Sequence, residues 1–287
     1  MLLLEYLLIN YKDTSRSKIK KLLANGAVRV DGVVQTQFNF PVNPNNKVQI
    51  IKDKDKAITS KADQNLRHFA TIEYEDPWLM IVNKKTGVLS VPTGHHGFCL
   101  KTLLDGYLER KGEHRTAHVV HRLDKETSGL MIYAKSREIQ DIFTHNWHDI
   151  IADRRYFAIT NGIPKPADGS LQSWLWDDNY GYVHSSKEDN GGKFAKTHYH
   201  TLQTNNNHAL LDVRLETGRK NQIRVHLQDI KCPVVGDSKY GNGDNPIGRL
   251  GLHAYKLAFT HPITHKQMIF ETPLPASFQK LIDQTER

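Results

Sequence analysis

A carboxylate at the mouth of a polar loop is the first group in this chain placed for chemistry. Residues 117–136, AHVVHRLDKETSGLMIYAKS, set two apolar runs around a loop that begins at Asp124. An ionised aspartate in such a place can act as a nucleophile or a base, or it can simply shape a turn or cap a helix. Arg122, two residues earlier, shares a face with Asp124 if the strand persists that far. Glu126, two residues later, admits a paired-carboxylate hydrolase. That spacing on a loop does not set the roughly 5 to 9 Å separation such enzymes need.

Other chemistries lack their partners. There is no G-x-S-x-G elbow for a serine hydrolase, and no G-x-x-x-x-G-K-[ST] or G-x-G-x-x-G string for phosphates. His118 and His121 are three apart in a strand pattern, which sends them to opposite faces. His145 and His148 lack a third ligand nearby, so no metal site is expected. Cys99 and Cys232 have no C-x-x-C neighbour, which excludes a disulfide framework or zinc ribbon and fits a reducing compartment.

The elements that must hold Asp124 follow from the patterning of 287 residues, of which 39 are Lys or Arg and 31 Asp or Glu, for a net charge of +8. That length gives one sizeable domain, or one with a small appendage. With 38% hydrophobic residues and no apolar run of about 18 residues, no membrane span is expected. Glu5 and the lack of a basic leader argue against a signal peptide, so a soluble cytoplasmic protein, expected as a monomer, is the reading. The charge is uneven: residues 1–60 hold ten basic and five acidic side chains. Within them, residues 2–9 read as a short apolar helix, and Ser15 as the N-cap of a second helix ending near Gly26. Ile19, Leu22 and Leu23 have the spacing of its buried face, which leaves Arg16 and Lys20 on an exposed one with Lys12 close by. Residues 28–33 read as a hairpin around Asp31-Gly32.

Residues 53–67, charged and poor in large apolar side chains, read as a linker. Beyond it, runs such as WLMIVNK, LMIYAKS, RRYFAIT, THYHTL and ALLDVRL are strand-like, and only residues 100–110, 137–147 and 222–230 are helical in pattern. Strands without regular βα alternation predict an α+β fold with a mixed or antiparallel sheet. Trp174 and Trp176 alternate as in a strand and fit ordinary sheet packing.

The string H-R-L-D-K-E-T-S-G-L resembles the signature of the RluA-type RNA pseudouridine synthases, whose reactive aspartate lies within it. LETGRKNQIRVHLQDIKCPVVGDSKYG, residues 215–241, looks like the family's second long motif, and RRYFAITNG, residues 154–162, like the strand carrying its tyrosine. SRSKIKKLLANGAVRVDG, residues 15–32, resembles an S4 RNA-binding domain. The resemblance implies an S4-like α/β domain over residues 1–52, the linker over 53–67 and a pseudouridine synthase domain over 68–287. It assigns Asp124, Tyr156 and Arg224 to chemistry, with Arg224 pairing Asp124 and Tyr156 stacking on the base. Arg122 and His121, together with Arg16, Lys20 and Lys12, are assigned to RNA. No cofactor or metal is implied. The implied substrate is large-subunit ribosomal RNA, with tRNA as the alternative and a non-catalytic RNA-binding protein as the rival class. Two positions depart from the family pattern: Lys85 stands where proline is usual, and Asn221 where histidine is common before Gln-Ile-Arg.

Overall fold

The computed structural model describes the chain except residues 12–13, 25–27, 32, 36–37, 44–45, 51–60, 94–96 and 285–287. Its contacts fall into two units, residues 1–68 with 106–114, and residues 69–105 with 115–287.

In the first unit α1 (Leu3–Asn10) and α2 (Arg16–Ala24) accompany a three-stranded sheet ordered β2-β1-β3, from β1 (Val28–Val30), β2 (Val33–Val34) and β3 (Val48–Ile50). The Ser15 hydroxyl accepts from the Lys18 amide at 3.3 Å and starts α2 as its residue type suggests. Ile19 and Leu23 bury in one core with Leu3, Leu7, Val28 and Val30, which leaves Arg16 and Lys20 exposed. Asp31 takes φ 51 in the β1–β2 turn, the left-handed geometry its pairing with glycine announces. Lys12 lies outside the described residues. Of the stretch read as a linker, residues 53–60 lie outside the described residues, and the remainder falls in a helix, α3 (Lys61–Phe69), with Leu66 buried. Lys, Ala, Gln, Leu and Arg are good helix formers, and one apolar anchor sufficed where the pattern suggested none.

The second unit is one mixed sheet with helices. In chain order its elements are β4 (Ala70–Glu75), β5 (Leu79–Lys84), α4 (Leu100–Arg110, whose later part belongs to the first unit), β6 (His118–Val119) and β7 (Ser128–Ala134). Then come α5 (Arg137–His145), α6 (Trp147–Ile150), β8 (Ile151–Asn161), β9 (Asp168–Asp177), β10 (Val183–Ser186), β11 (Lys193–Thr204) and β12 (His208–Leu215). The chain ends with α7 (Gln222–Asp229), β13 (Leu252–Thr260), β14 (Gln267–Glu271) and α8 (Ala276–Ile282). The strands run in the order β10-β9-β11-β12-β8-β13-β7-β5-β4, with β14 on β13 and β6 on β7. The β13–β7 pairing is parallel and the others are antiparallel. This is the α+β mixed sheet that the patterning predicts.

The parallel junction lies where the Asp124 loop enters β7. Gly129 has φ +120, and a Cβ there would stand 2.7 Å from the Ala254 carbonyl carbon, so only glycine lets β7 reach β13. Beside it, Ser128 Oγ bonds His253 Nδ1 at 2.7 Å and accepts from Arg249 Nη2 at 2.6 Å. Every residue of β7 is buried, which makes it a rigid base for the loop. Toward the other end of the sheet Trp174 packs edge-on against Phe194 and Trp176, 40% exposed, stacks on His184, each on its direct cross-strand partner, as ordinary sheet packing expects. Among the described residues no helix is long and apolar enough to cross a membrane.

Candidate active site

Asp124 sits in irregular backbone. Strand β6 ends at Val119, so the period-2 argument that put Arg122 and Asp124 on one strand face fails. Both still line a common cleft of about 590 Å3. The loop is held from below rather than by a ladder. Ser90 Oγ donates to the Leu123 carbonyl at 2.8 Å, and Thr86 Oγ1 donates to that of Glu126 at 2.8 Å. The buried Lys84 ammonium donates to the carbonyls of Lys85, Val88 and Lys125 at 2.9 to 3.0 Å. Burial lowers Lys84 to about 7, opposed by the charges of Glu126 and Asp124. The three carbonyls match the three hydrogens of an ammonium. The departure at Lys85 also has a use, because its amide donates to the Phe69 carbonyl at 2.7 Å, a bond proline would lack.

Helix α7 brings the second motif to Asp124. Gln222 is satisfied on both sides: its Oε1 accepts from Thr217 Oγ1 and the Arg219 amide, and its Nε2 donates to the Lys196 carbonyl and Thr197 Oγ1. His226 bridges Ser173 and Thr197 from the same helix, and burial drives its pKa down to about 4. One helical turn is thereby tied to β9 and β11, and Arg224 projects toward Asp124.

The Arg224 pairing differs from the expectation. Its fork closes on Asp237, with Nε to Oδ2 at 2.7 Å and Nη2 to Oδ1 at 2.6 Å, and gives Asp124 Oδ2 one 3.4 Å contact from Nη1. Burial opposes the charges of both Arg224 and Asp237, yet their mutual bonds outweigh it, raising Arg224 and lowering Asp237. The amides of Lys239 and Tyr240 also donate to Asp237 Oδ1 at 2.9 Å. Asp237 is the residue that reading the sequence missed. Its one signal was Gly236-Asp237, which looks like any turn.

Asn221 supplies the closer contact. The Val183 amide donates to the Tyr240 hydroxyl at 2.8 Å, so that hydroxyl's own hydrogen needs an acceptor. With the Asn221 oxygen facing it at 3.0 Å, the amide nitrogen lies 2.8 Å from Asp124 Oδ2 and 3.3 Å from Oδ1. The reverse orientation would gain a 3.3 Å bond from Arg224 Nη1 but set an oxygen against the carboxylate. Asn221 holds this place at φ 53, left-handed backbone that asparagine tolerates well.

Tyr156 is buried on β8 and lines the cleft with Asp124. Burial raises its pKa, Arg154 opposes the shift and Asp124 reinforces it, which keeps the phenol protonated. Arg122 is exposed at the mouth. His121, assigned to RNA by the resemblance, is held in place on the cleft wall: its Nε2 accepts from the Ile132 amide at 3.1 Å, and its ring lies against Trp147. Burial, then the charge of Arg154, lowers its pKa to about 3, and the ring lines the same cleft as Arg122 and Asp124. Arg16 and Lys20 are exposed on α2, in the other unit. Among the described residues no group of three or more His, Cys, Asp or Glu could hold a metal ion.

Comparison with known proteins bears directly on this cleft. A family model described as RNA pseudouridylate synthase matches residues 78–229, which include Asp124, Tyr156 and Arg224. The ribosomal large subunit pseudouridine synthase D of Neisseria meningitidis serogroup A is 33% identical, over 94% of this chain and 75% of that protein. An uncharacterized RNA pseudouridine synthase of Bacillus subtilis, YlyB, is 30% identical, over 97% of this chain and 92% of its own. The solved structure of human RNA pseudouridylate synthase domain containing 4 superposes with a TM-score of 0.59 at 25% identity, covering 75% of this chain and 92% of that one.

Proposed function

Since the chain belongs to the RNA pseudouridylate synthase family and is an isomerase of uridine in RNA, we propose that it modifies large-subunit ribosomal RNA and that Asp124 is its reactive group. The supporting observation is the meeting of Asp124, Tyr156 and Arg224 around one cleft. The reaction breaks N1–C1′ and joins C5 to C1′ without change of composition. A carboxylate that attacks the ribose or removes one of its protons serves either route. Arg224 and Asn221 orient Asp124 and meet its charge, and Asp237 fixes Arg224. A stacked uridine must first leave its helix at a cost of about a few kcal/mol. Arg122 at the mouth fills the vacated space. Tyr156, held protonated, stacks on the flipped uracil rather than acting as a base. Residues 1–52 act as an S4-like RNA-binding domain through Arg16, Lys20 and Lys12, and the resemblance to ribosomal enzymes supports ribosomal over transfer RNA.

Mapping pseudouridine in the RNA of cells lacking this gene tests the substrate. Loss of one or more large-subunit positions, restored by the intact gene, is the expected outcome. Loss confined to tRNA would overturn the ribosomal reading.

A further inference from the structure

Two residues before Tyr156 on β8, and so on the same face, stands a second cation of the cleft. Arg154 is only 9% exposed, yet among the described residues it has neither a hydrogen-bond acceptor nor a carboxylate partner. Its neighbour Arg155, in contrast, pairs with Asp153 at 2.8 Å and Asp212 at 2.7 Å on the opposite face. A guanidinium keeps its charge at any physiological pH, and placing that charge away from bulk water without a partner is unfavourable. What supports it is the Trp147 ring, 4.9 Å from Cζ, an apolar platform that fixes the fork without consuming its N–H donors. The chain also keeps the fork clear. A Cβ on Gly218 would lie 3.2 Å from Nη1 and 3.3 Å from Nη2, so a glycine stands where any side chain would crowd both donors. The same cleft carries Asp124 and Tyr156.

An unpaired, platform-mounted guanidinium with open donors is built for an anion that arrives from outside. We propose that Arg154, mounted on Trp147 and bared by Gly218, is a phosphodiester-binding subsite that grips the RNA backbone next to the flipped nucleotide. The position of the phosphate relative to the reacting uridine rests on the functional reading above, whereas the anion site itself does not. The grip explains how a cleft with Asp124 at its floor holds a polyanion: the arriving phosphate meets a buried cation whose charge no protein carboxylate has cancelled.

The test compares full-length wild type with Arg154→Met, Arg154→Lys and Gly218→Ala, using a short fluorescein-labelled oligouridylate whose affinity is followed by anisotropy across a salt series. Loss of one phosphate contact on a single strand lowers the slope of log K against log salt by about 0.7. The proposal expects that drop for Arg154→Met, with affinity several-fold weaker, recovery of the slope in Arg154→Lys, and a wild-type charge but weakened binding in Gly218→Ala. Thermal melting separates a brace from a binding site: removal of an uncompensated buried cation should leave the melting temperature unchanged or higher. An unchanged slope in Arg154→Met, or weaker binding accompanied by a marked fall in melting temperature and no slope change, would overturn the proposal. Pseudouridine formation on an unmodified large-subunit rRNA transcript is measured in the same preparations. Its absence in wild type would count against the functional reading, while the salt slopes would still decide the role of Arg154.

Discussion

Arg224 is locked to Asp237 through two hydrogen bonds of 2.7 and 2.6 Å, while its contact with Asp124 is a single one of 3.4 Å. The arginine is therefore a strut held from behind. Asp124, 32% exposed on its side chain, is left free on the cleft side to meet a substrate. Replacing Asp237 by Asn should loosen the strut without touching RNA. The expected result is a fall in kcat of about tenfold or more, from loss of a charge-assisted bond of order 1.5–3 kcal/mol, with RNA affinity near wild type. Single-turnover rates and equilibrium binding on the same preparation check it.

Asn221 donates to Asp124 from a left-handed backbone position. Asn221→Gly keeps that backbone and deletes the donor, so kcat should fall several-fold while KM barely moves. Asn221→Asp should be worse near neutral pH, because two carboxylates would then share a site 2.8 Å across. Its activity should partly recover as pH falls and the pair takes up a proton. A pH–rate profile identical to that of wild type would contradict the contact.

How far the site was legible varies residue by residue. Asp124, Tyr156 and Arg224 lay in long strings whose types and spacing carried the resemblance, and the strand periodicity was strong enough to read the mixed sheet. Asp237 was not legible, because it accepts from the amides of Lys239 and Tyr240 as an ordinary turn aspartate does. Its second partner arrives through folding from 13 residues away. Nothing in the neighbours of His121 foretold that the Ile132 amide would donate to its ring nitrogen. The helix Lys61–Phe69 was hidden by a composition that serves a linker and a solvated helix equally well.

The buried histidines give the stability of the second unit a sign with pH. His226 titrates near 4 when folded, against an ordinary value of 6.5. Between those values the unfolded chain binds more protons than the folded one, so stability rises with pH and is lost as pH falls from 6.5 toward 4. One such group contributes at most about 1.4 kcal/mol per pH unit in that window. His226→Gln, which can still bond Ser173 or Thr197, should flatten the fall. Melting temperatures measured across that range decide the matter, and parallel curves for the two proteins would contradict it.

Gly129→Ala should be among the most damaging small substitutions in the chain. Its methyl would collide with Ala254 backbone at the β7–β13 junction, at a φ that alanine avoids. A loss of soluble protein, or a fall in stability of about 3 kcal/mol or more, is expected. Gly112→Ala has a positive φ of 76 but open space around it, and should cost much less.

Arg16 and Lys20, exposed on α2, should carry affinity rather than chemistry. Neutralising both to Gln should lower the salt slope of RNA binding by roughly 1.4 to 1.8, from about 0.7 to 0.9 per phosphate contact. Turnover at saturating RNA should stay near wild type. An unchanged slope would remove these side chains from the RNA interface.

If Asp124 performs the chemistry, Asp124→Asn should abolish it. The amide is nearly isosteric with the carboxylate but is neither a nucleophile nor a base. In a single-turnover assay on unmodified large-subunit rRNA, pseudouridine formation should vanish while RNA affinity remains near wild type. Turnover close to the wild-type rate with the asparagine in place would remove Asp124 from the chemistry.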